Sequence, residues 1–179
     1  MTLDPFSLAH TTLSQAILAS PRVKKYVRSS NYEDHLRAKG GVMPDVRTES
    51  NLPWLDIYPT GGPCTLNRAS NLITWDYGFQ IGIISGDQRF SQELYPAMFA
   101  IFAACTDQQR TSDSTLRMLE WQDNRLVRDI DINNIAVGLY TPVNLDGQQA
   151  VKGCTSVCTL TLYMQASQMS LVTWANSQT

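Results

Sequence analysis

A chain of 179 residues with 43% hydrophobic content has the size of one domain and enough apolar mass to bury a core. Its formal charge of −2 gives no general attraction to nucleic acid or anionic membranes, and neither a membrane-spanning apolar run nor a secretory leader is present, which predicts the cytoplasm of the producing cell. The charge is nevertheless polarised: from Arg22 to Arg47 stand seven basic residues (Arg22, Lys24, Lys25, Arg28, Arg37, Lys39 and Arg47) against Glu33, Asp34 and Asp45, an excess of +4 that leaves −6 for the remainder.

In chain order, Asp4-Pro5 is a helix opening, with Asp4 at the N-cap and Pro5 where its missing N–H costs nothing. Phe6, Ala9, Leu13 and Ile17 form one apolar stripe, so a helix is predicted to about Ala19. Ser20-Pro21 repeats the signal and predicts a second short helix, with Val23, Tyr26 and Val27 inward and the basic residues outward. From Ser29 to Asn51 the pattern dissolves, and a mobile basic loop is expected over about 29–51. A first strand, Leu52 to Tyr58, is predicted to stop at the turn cluster Pro59-Thr-Gly-Gly-Pro63.

The spine of the chain is Leu72 to Gln92. Ile73, Trp75, Tyr77, Phe79, Ile81 and Ile83 alternate with Thr74, Asp76, Gly78, Gln80 and Gly82, the period-2 signature of a long strand with one buried face, ending at Gly86-Asp87. Leu94, Met98, Ile101, Phe102 and Cys105 then give a helical stripe, placed at 94–106 because Pro96 fits only a first turn. A polar link over 107–114 leads to a predicted hairpin, Leu116–Trp121 with Leu126–Ile132, turned by Asp123-Asn124. A short strand is expected at 136–140, a turn at Asn144–Gly147, and a last core strand at 153–165 with Cys154, Cys158, Leu160, Leu162 and Met164 inward. Residues 167–179 read as a polar tail whose Trp174 docks on its own domain or on a neighbour, a candidate interface anchor. Together these elements predict one α+β domain over 1–166: a mixed, mainly antiparallel sheet with N-terminal and central helices packed on one face.

No nucleophile elbow, phosphate loop, dinucleotide fingerprint or zinc-binding helix motif occurs. Cys64, Cys105, Cys154 and Cys158 contain no C-x-x-C pair and read as small buried thiols. His10 and His35 lack any neighbouring nucleophile arrangement, and Asp129 with Asp131 reads as the wet side of a half-buried strand. No catalytic residue, cofactor or metal site is therefore expected.

The order of elements carries a resemblance. An amphipathic N-terminal helix, then Leu52-Pro-Trp-Leu-Asp-Ile-Tyr-Pro-Thr-Gly-Gly, the strand Tyr77-Gly-Phe-Gln-Ile-Gly-Ile-Ile-Ser-Gly-Asp, an apolar helix, and the strand Gly153-Cys-Thr-Ser-Val-Cys-Thr-Leu-Thr-Leu-Tyr resembles the small tail-terminator or tail-completion proteins of tailed bacteriophages over about residues 5–166. The resemblance implies a virion subunit, assembled in the host cytoplasm. It would form a six-fold homo-oligomeric ring, cap the tail tube protein and meet the head-tail connector. The segments 29–51 and 107–149 depart from compact members and leave open another head-tail joining or neck protein. In a ring, the basic loop would face an acidic neighbour or DNA in the channel. Two further readings are a small enzyme using Asp76, Asp129, Asp131 or His35, and a nucleic-acid binder using the 22–47 patch.

Overall fold

The computed structural model describes residues 3–30, 53–85, 93–143 and 151–178. Helix α1 (Pro5–Ala19) starts where Asp4 accepts hydrogen bonds from the Phe6 and Ser7 amides at 3.0 and 2.9 Å, which satisfies two of its otherwise orphaned donors. Helix α2 (Pro21–Tyr26) follows directly and turns Val23 into the core.

The sheet runs in the order β1 (Ser29–Ser30), β2 (Trp54–Gly61), β4 (Leu72–Ser85), β8 (Val151–Ser167), β7 (Val127–Val143), with β3 (Cys64–Asn67) also on β4. Only the β1–β2 pair among these is parallel; the others are antiparallel. Strand β4 is the spine: β8 pairs with it from Leu72↔Ser167 to Ser85↔Cys154, and β2 and β3 share its other edge. Its odd residues Trp75, Phe79, Ile81 and Ile83 are buried, as are their β8 partners Met164, Leu160 and Cys158. Helices α1 and α3 (Leu94–Arg110) cover this inner face. Phe6 meets Trp75 and Tyr77 with ring centroids 5.3 and 4.7 Å apart, and His10 lies 5.6 Å from Phe79. The α+β architecture with both major helices on one face is thus as the sequence predicts.

Five elements differ from expectation. The Pro59–Pro63 cluster is not a chain reversal. Thr60 is an extra residue between the pairs Pro59↔Phe79 and Gly61↔Gly78, and β3 resumes one short step later as Cys64↔Trp75. The edge strand therefore bulges and continues. The actual reversal follows at 68–71, where the Asn67 side chain accepts from the Ala69 and Ser70 amides.

Helix α3 begins at Leu94 as predicted but runs to Arg110, past the expected end at 106. The hairpin shrinks to β5 (Glu120–Trp121) and β6 (Asn124–Arg125), and its turn sits one residue earlier, at Gln122-Asp123. Both turn residues have positive φ, 51° and 59°, the geometry of the tight turns that match strand twist. Residues 127–143 are one strand rather than two, with bulges between Val127 and Asp129, Ile132 and Ile135, and Ala136 and Leu139. The segment read as a polar tail contains helix α4 (Gln168–Asn176), whose N-cap Ser167 accepts from the Ser170 amide at 3.0 Å.

The expected end of the spine at Gly86-Asp87, most of the 29–51 loop and the Asn144–Gly147 turn lie outside the described residues.

Candidate functional site

Three surface features result from this architecture: two patches at opposite ends of β4 and a cleft on the sheet's outer face. The first patch forms where β4 finishes. There Ser30 pairs with Leu55, across the sheet from Ile83, and the Ser85 hydroxyl bonds the Glu93 carboxylate at the start of α3. Helix α2 packs on α3 at this end. Its Arg22, Lys24 and Lys25, with Arg28 just beyond, are all exposed, and none forms an ion pair among the described residues. Lys25 Nζ sits 5.4 Å over the Tyr26 ring. The remaining members of the sequence-predicted basic set, Arg37, Lys39 and Arg47, lie outside the described residues, as does His35. Beside α2, Phe99 of α3 is 67% exposed, and Tyr95 one turn earlier is also exposed.

The second patch lies at the opposite end, where β4 starts. The Gln168 amide bonds the Asn71 carbonyl at 3.0 Å, which seats α4 there. Trp174 is half-buried with its ring 6.4 Å from that of Trp121, so the structure places the candidate anchor against its own hairpin. Trp121 is itself pinned, since its indole N–H donates to the Leu3 carbonyl at 3.0 Å. On the outward side of α4, Met169 is 72% exposed and Val172 54%. The hairpin contributes exposed Glu120 and Asp123, and the end of α3 and the following loop contribute exposed Asp107 and Asp113.

The cleft, of about 600 Å³, lies on the sheet face away from the helices and is lined by Thr74, Asp76, Arg117, Arg128, Asp129, Tyr163 and Met164. Register explains the assembly: Asp76 pairs with Tyr163, which pairs with Asp129, so the three stand in one row across β4, β8 and β7. Arg128 is the extra residue of the first β7 bulge, a distortion that re-aims a side chain. Arg117 reaches in from the loop, held by Nε donating to the Gln109 carbonyl at 2.7 Å and by its guanidinium on Asp129 at 3.0 Å. The structure thus brings together two of the carboxylates singled out in the sequence, Asp76 and Asp129. Asp131 stands one register step away opposite Thr161, outside the lining. His10 is remote, on α1, with its ring nitrogen 3.2 Å from the Ile57 carbonyl.

The cysteines divide. Cys105 and Cys158 are buried as expected, whereas Cys64 is exposed on β3; of the Cys154 side chain nothing is described. The neighbouring Cys158 thiol, together with burial, pushes Cys105 well above the ordinary thiol range. Among the described residues, no group of three His, Cys, Asp or Glu side chains is placed to hold a metal ion, and no helix is long and apolar enough to cross a membrane.

Sequence reasoning missed the apolar part of both patches and the arginines of the cleft. Phe99 carried a usable signal, since it falls off the 94-98-101-105 stripe and so must point away from the core. Met169 and Val172 become a patch only once Ser167 is recognised as a cap. Nothing local marks Arg117 or Arg128, which line the cleft with Asp76 from some 40 to 50 positions away.

No known protein-family model matches the chain, and no curated protein matches it in sequence.

Proposed function

We propose that this chain is a structural virion subunit of the tail-terminator type, which assembles as a homo-oligomeric ring, caps the tail tube of a tailed bacteriophage and meets the head-tail connector. The observation that carries the reading is the pair of separate exposed apolar patches, Phe99 at one end of the sheet and Met169 with Val172 at the other. A ring of identical subunits needs two different surfaces on each copy, because its contacts are heterologous and close by rotation. Phe99 with Tyr95, and Met169 with Val172, give each of those two surfaces an exposed apolar centre. The α+β scaffold, with helices on one face of a long sheet, agrees with the resemblance read from the order of elements. Negative-stain images of concentrated protein test the proposal: closed rings of uniform diameter are expected, and isolated particles of subunit size at every concentration contradict it.

A second reading has its own observation, the cleft with Asp76, Asp129, Arg117 and Arg128. A row of acids and arginines around a tyrosine can orient a small polar ligand by paired donors and acceptors. Ligand-observed NMR with a fragment library tests it, with signals that disappear in Asp76→Asn and Arg128→Ala as the expected result and no binders at all as the refutation.

A further inference from the structure

The two end patches differ in charge as well as in position, and the difference has a direction. Where β4 finishes, the exposed Arg22, Lys24, Lys25 and Arg28 lie on and just after α2, which packs on the helix that carries exposed Phe99, with Glu93 the acid at this end among the described residues. Where β4 starts, Met169 and Val172 stand near Glu120, Asp123, Asp107 and Asp113, against the exposed bases Arg68, Arg110 and Arg125, which leaves a smaller negative excess there than the positive excess at the other end. Arg125 is turned back on the loop by its bond to the Arg117 carbonyl. None of these charges forms an ion pair among the described residues, where Arg117 pairs with Asp129. The carbonyl end of α3 adds partial negative charge at the acidic end. Fourteen residues of β4 separate the two patches, roughly 40 Å at about 3.3 Å per residue.

We propose that copies of this chain join end to end, the α2–α3 end of one seated on α4 and the β5–β6 hairpin of the next, with Phe99 packed against Met169 and Val172 and the lysines facing Glu120 and Asp123. The assignment rests on the ring reading and specifies its contact. Each end supplies what the other lacks, an apolar centre ringed by charge of opposite sign, which is how specific interfaces combine adhesion with register. A second copy fits better than a nucleic-acid backbone, because phosphates would pair with the cations and leave Phe99 in water. The same geometry explains why one chain need not pair symmetrically with itself: two basic ends repel, and so do two acidic ends.

The test is sedimentation of the full-length protein and of charge-swapped variants, each first shown to melt like the parent. The parent is expected to assemble with rising concentration, with assembly weakened by rising salt. Lys24→Glu with Lys25→Glu is expected to weaken assembly at least tenfold, as is Glu120→Lys with Asp123→Lys, and the four changes combined in one chain are expected to restore it. Phe99→Asp is expected to abolish assembly in every background. Assembly of the parent that survives all of these changes overturns the assigned contact while leaving the ring reading intact. A parent that stays monomeric overturns both. A 30-base-pair DNA duplex bound by the parent and lost with the lysine reversals, with the assembly unaffected, assigns the basic end to nucleic acid and overturns the contact.

Discussion

Substituting Gly62 by alanine gives a sharp test of the bulged edge that joins β2 to β3. A Cβ at this position would lie 1.6 Å from the Asp76 carbonyl oxygen and 2.8 Å from its carbon, both backbone atoms that cannot swing aside. Relief requires the two strands to part by more than an ångström. That movement breaks the Asp76 amide bond to the Pro63 carbonyl, now 3.1 Å, and loosens the Cys64↔Trp75 pair beside it. One or two lost hydrogen bonds at about 1 kcal/mol each, plus backbone strain of about 1–3 kcal/mol, give a loss of about 3 kcal/mol. For a chain of this length that lowers Tm by about 6–12 °C. Two neighbouring glycines calibrate the measurement. Gly61→Ala meets open space but must hold φ at +74°, a cost of about 1–2 kcal/mol, and Gly82→Ala meets its nearest atoms at 3.8 and 3.9 Å and is expected to be close to neutral. Thermal unfolding followed by circular dichroism should rank the three Gly62, Gly61, Gly82. A Gly62→Ala protein that melts within 2 °C of the parent refutes the bulge geometry.

Other consequences are equally direct. Asp4→Ala removes the α1 cap and is expected to cost about 1 kcal/mol in chemical denaturation at neutral pH. Partial burial opposes ionisation of Asp4, but bonds from the Ser7 hydroxyl and the Ser7 and Phe6 amides outweigh it and hold the carboxyl below its ordinary value. Its folded pKa is depressed, so the stabilisation is complete above about pH 4 and is lost as pH falls through the lowered value; the gap between parent and variant should close there. Phe79→Ala, at a fully buried ring against His10 and Tyr77, is expected to cost about 3–5 kcal/mol, and a loss under 1 kcal/mol would place the core elsewhere. Thiol labelling read by peptide mass spectrometry should modify Cys64 rapidly and reach Cys105 and Cys158 only on unfolding.

The parts of the fold that could be read in the sequence are those where one periodicity runs unbroken. The alternation from Ile73 to Ile83 and the stripe Ala9, Leu13, Ile17 each record a single buried face. Reading failed where an extra residue resets the period. Asn133-Asn134 looked like a break between strands, yet they are a bulge between Ile132↔Leu160 and Ile135↔Cys158 that keeps both isoleucines paired with β8. Gly61-Gly62 looked like a turn because glycine serves turns and bulges alike, and only the approach of Asp76 distinguishes them. Helix α4 hid behind serine, glutamine and threonine; tertiary contact of Trp174 with Trp121 holds it rather than intrinsic propensity. Of the candidate surfaces, the basic residues of α2 were legible because they are contiguous. The cleft was not, since a row across three strands is written in register and leaves no mark in any one of them.

The proposed assembly through two unlike ends can be measured as molar mass by light scattering across a concentration series. The mass is expected to rise with concentration from the 20.0 kDa chain toward a closed ring, about 120 kDa for six copies. A constant mass of one chain across the whole series would contradict it.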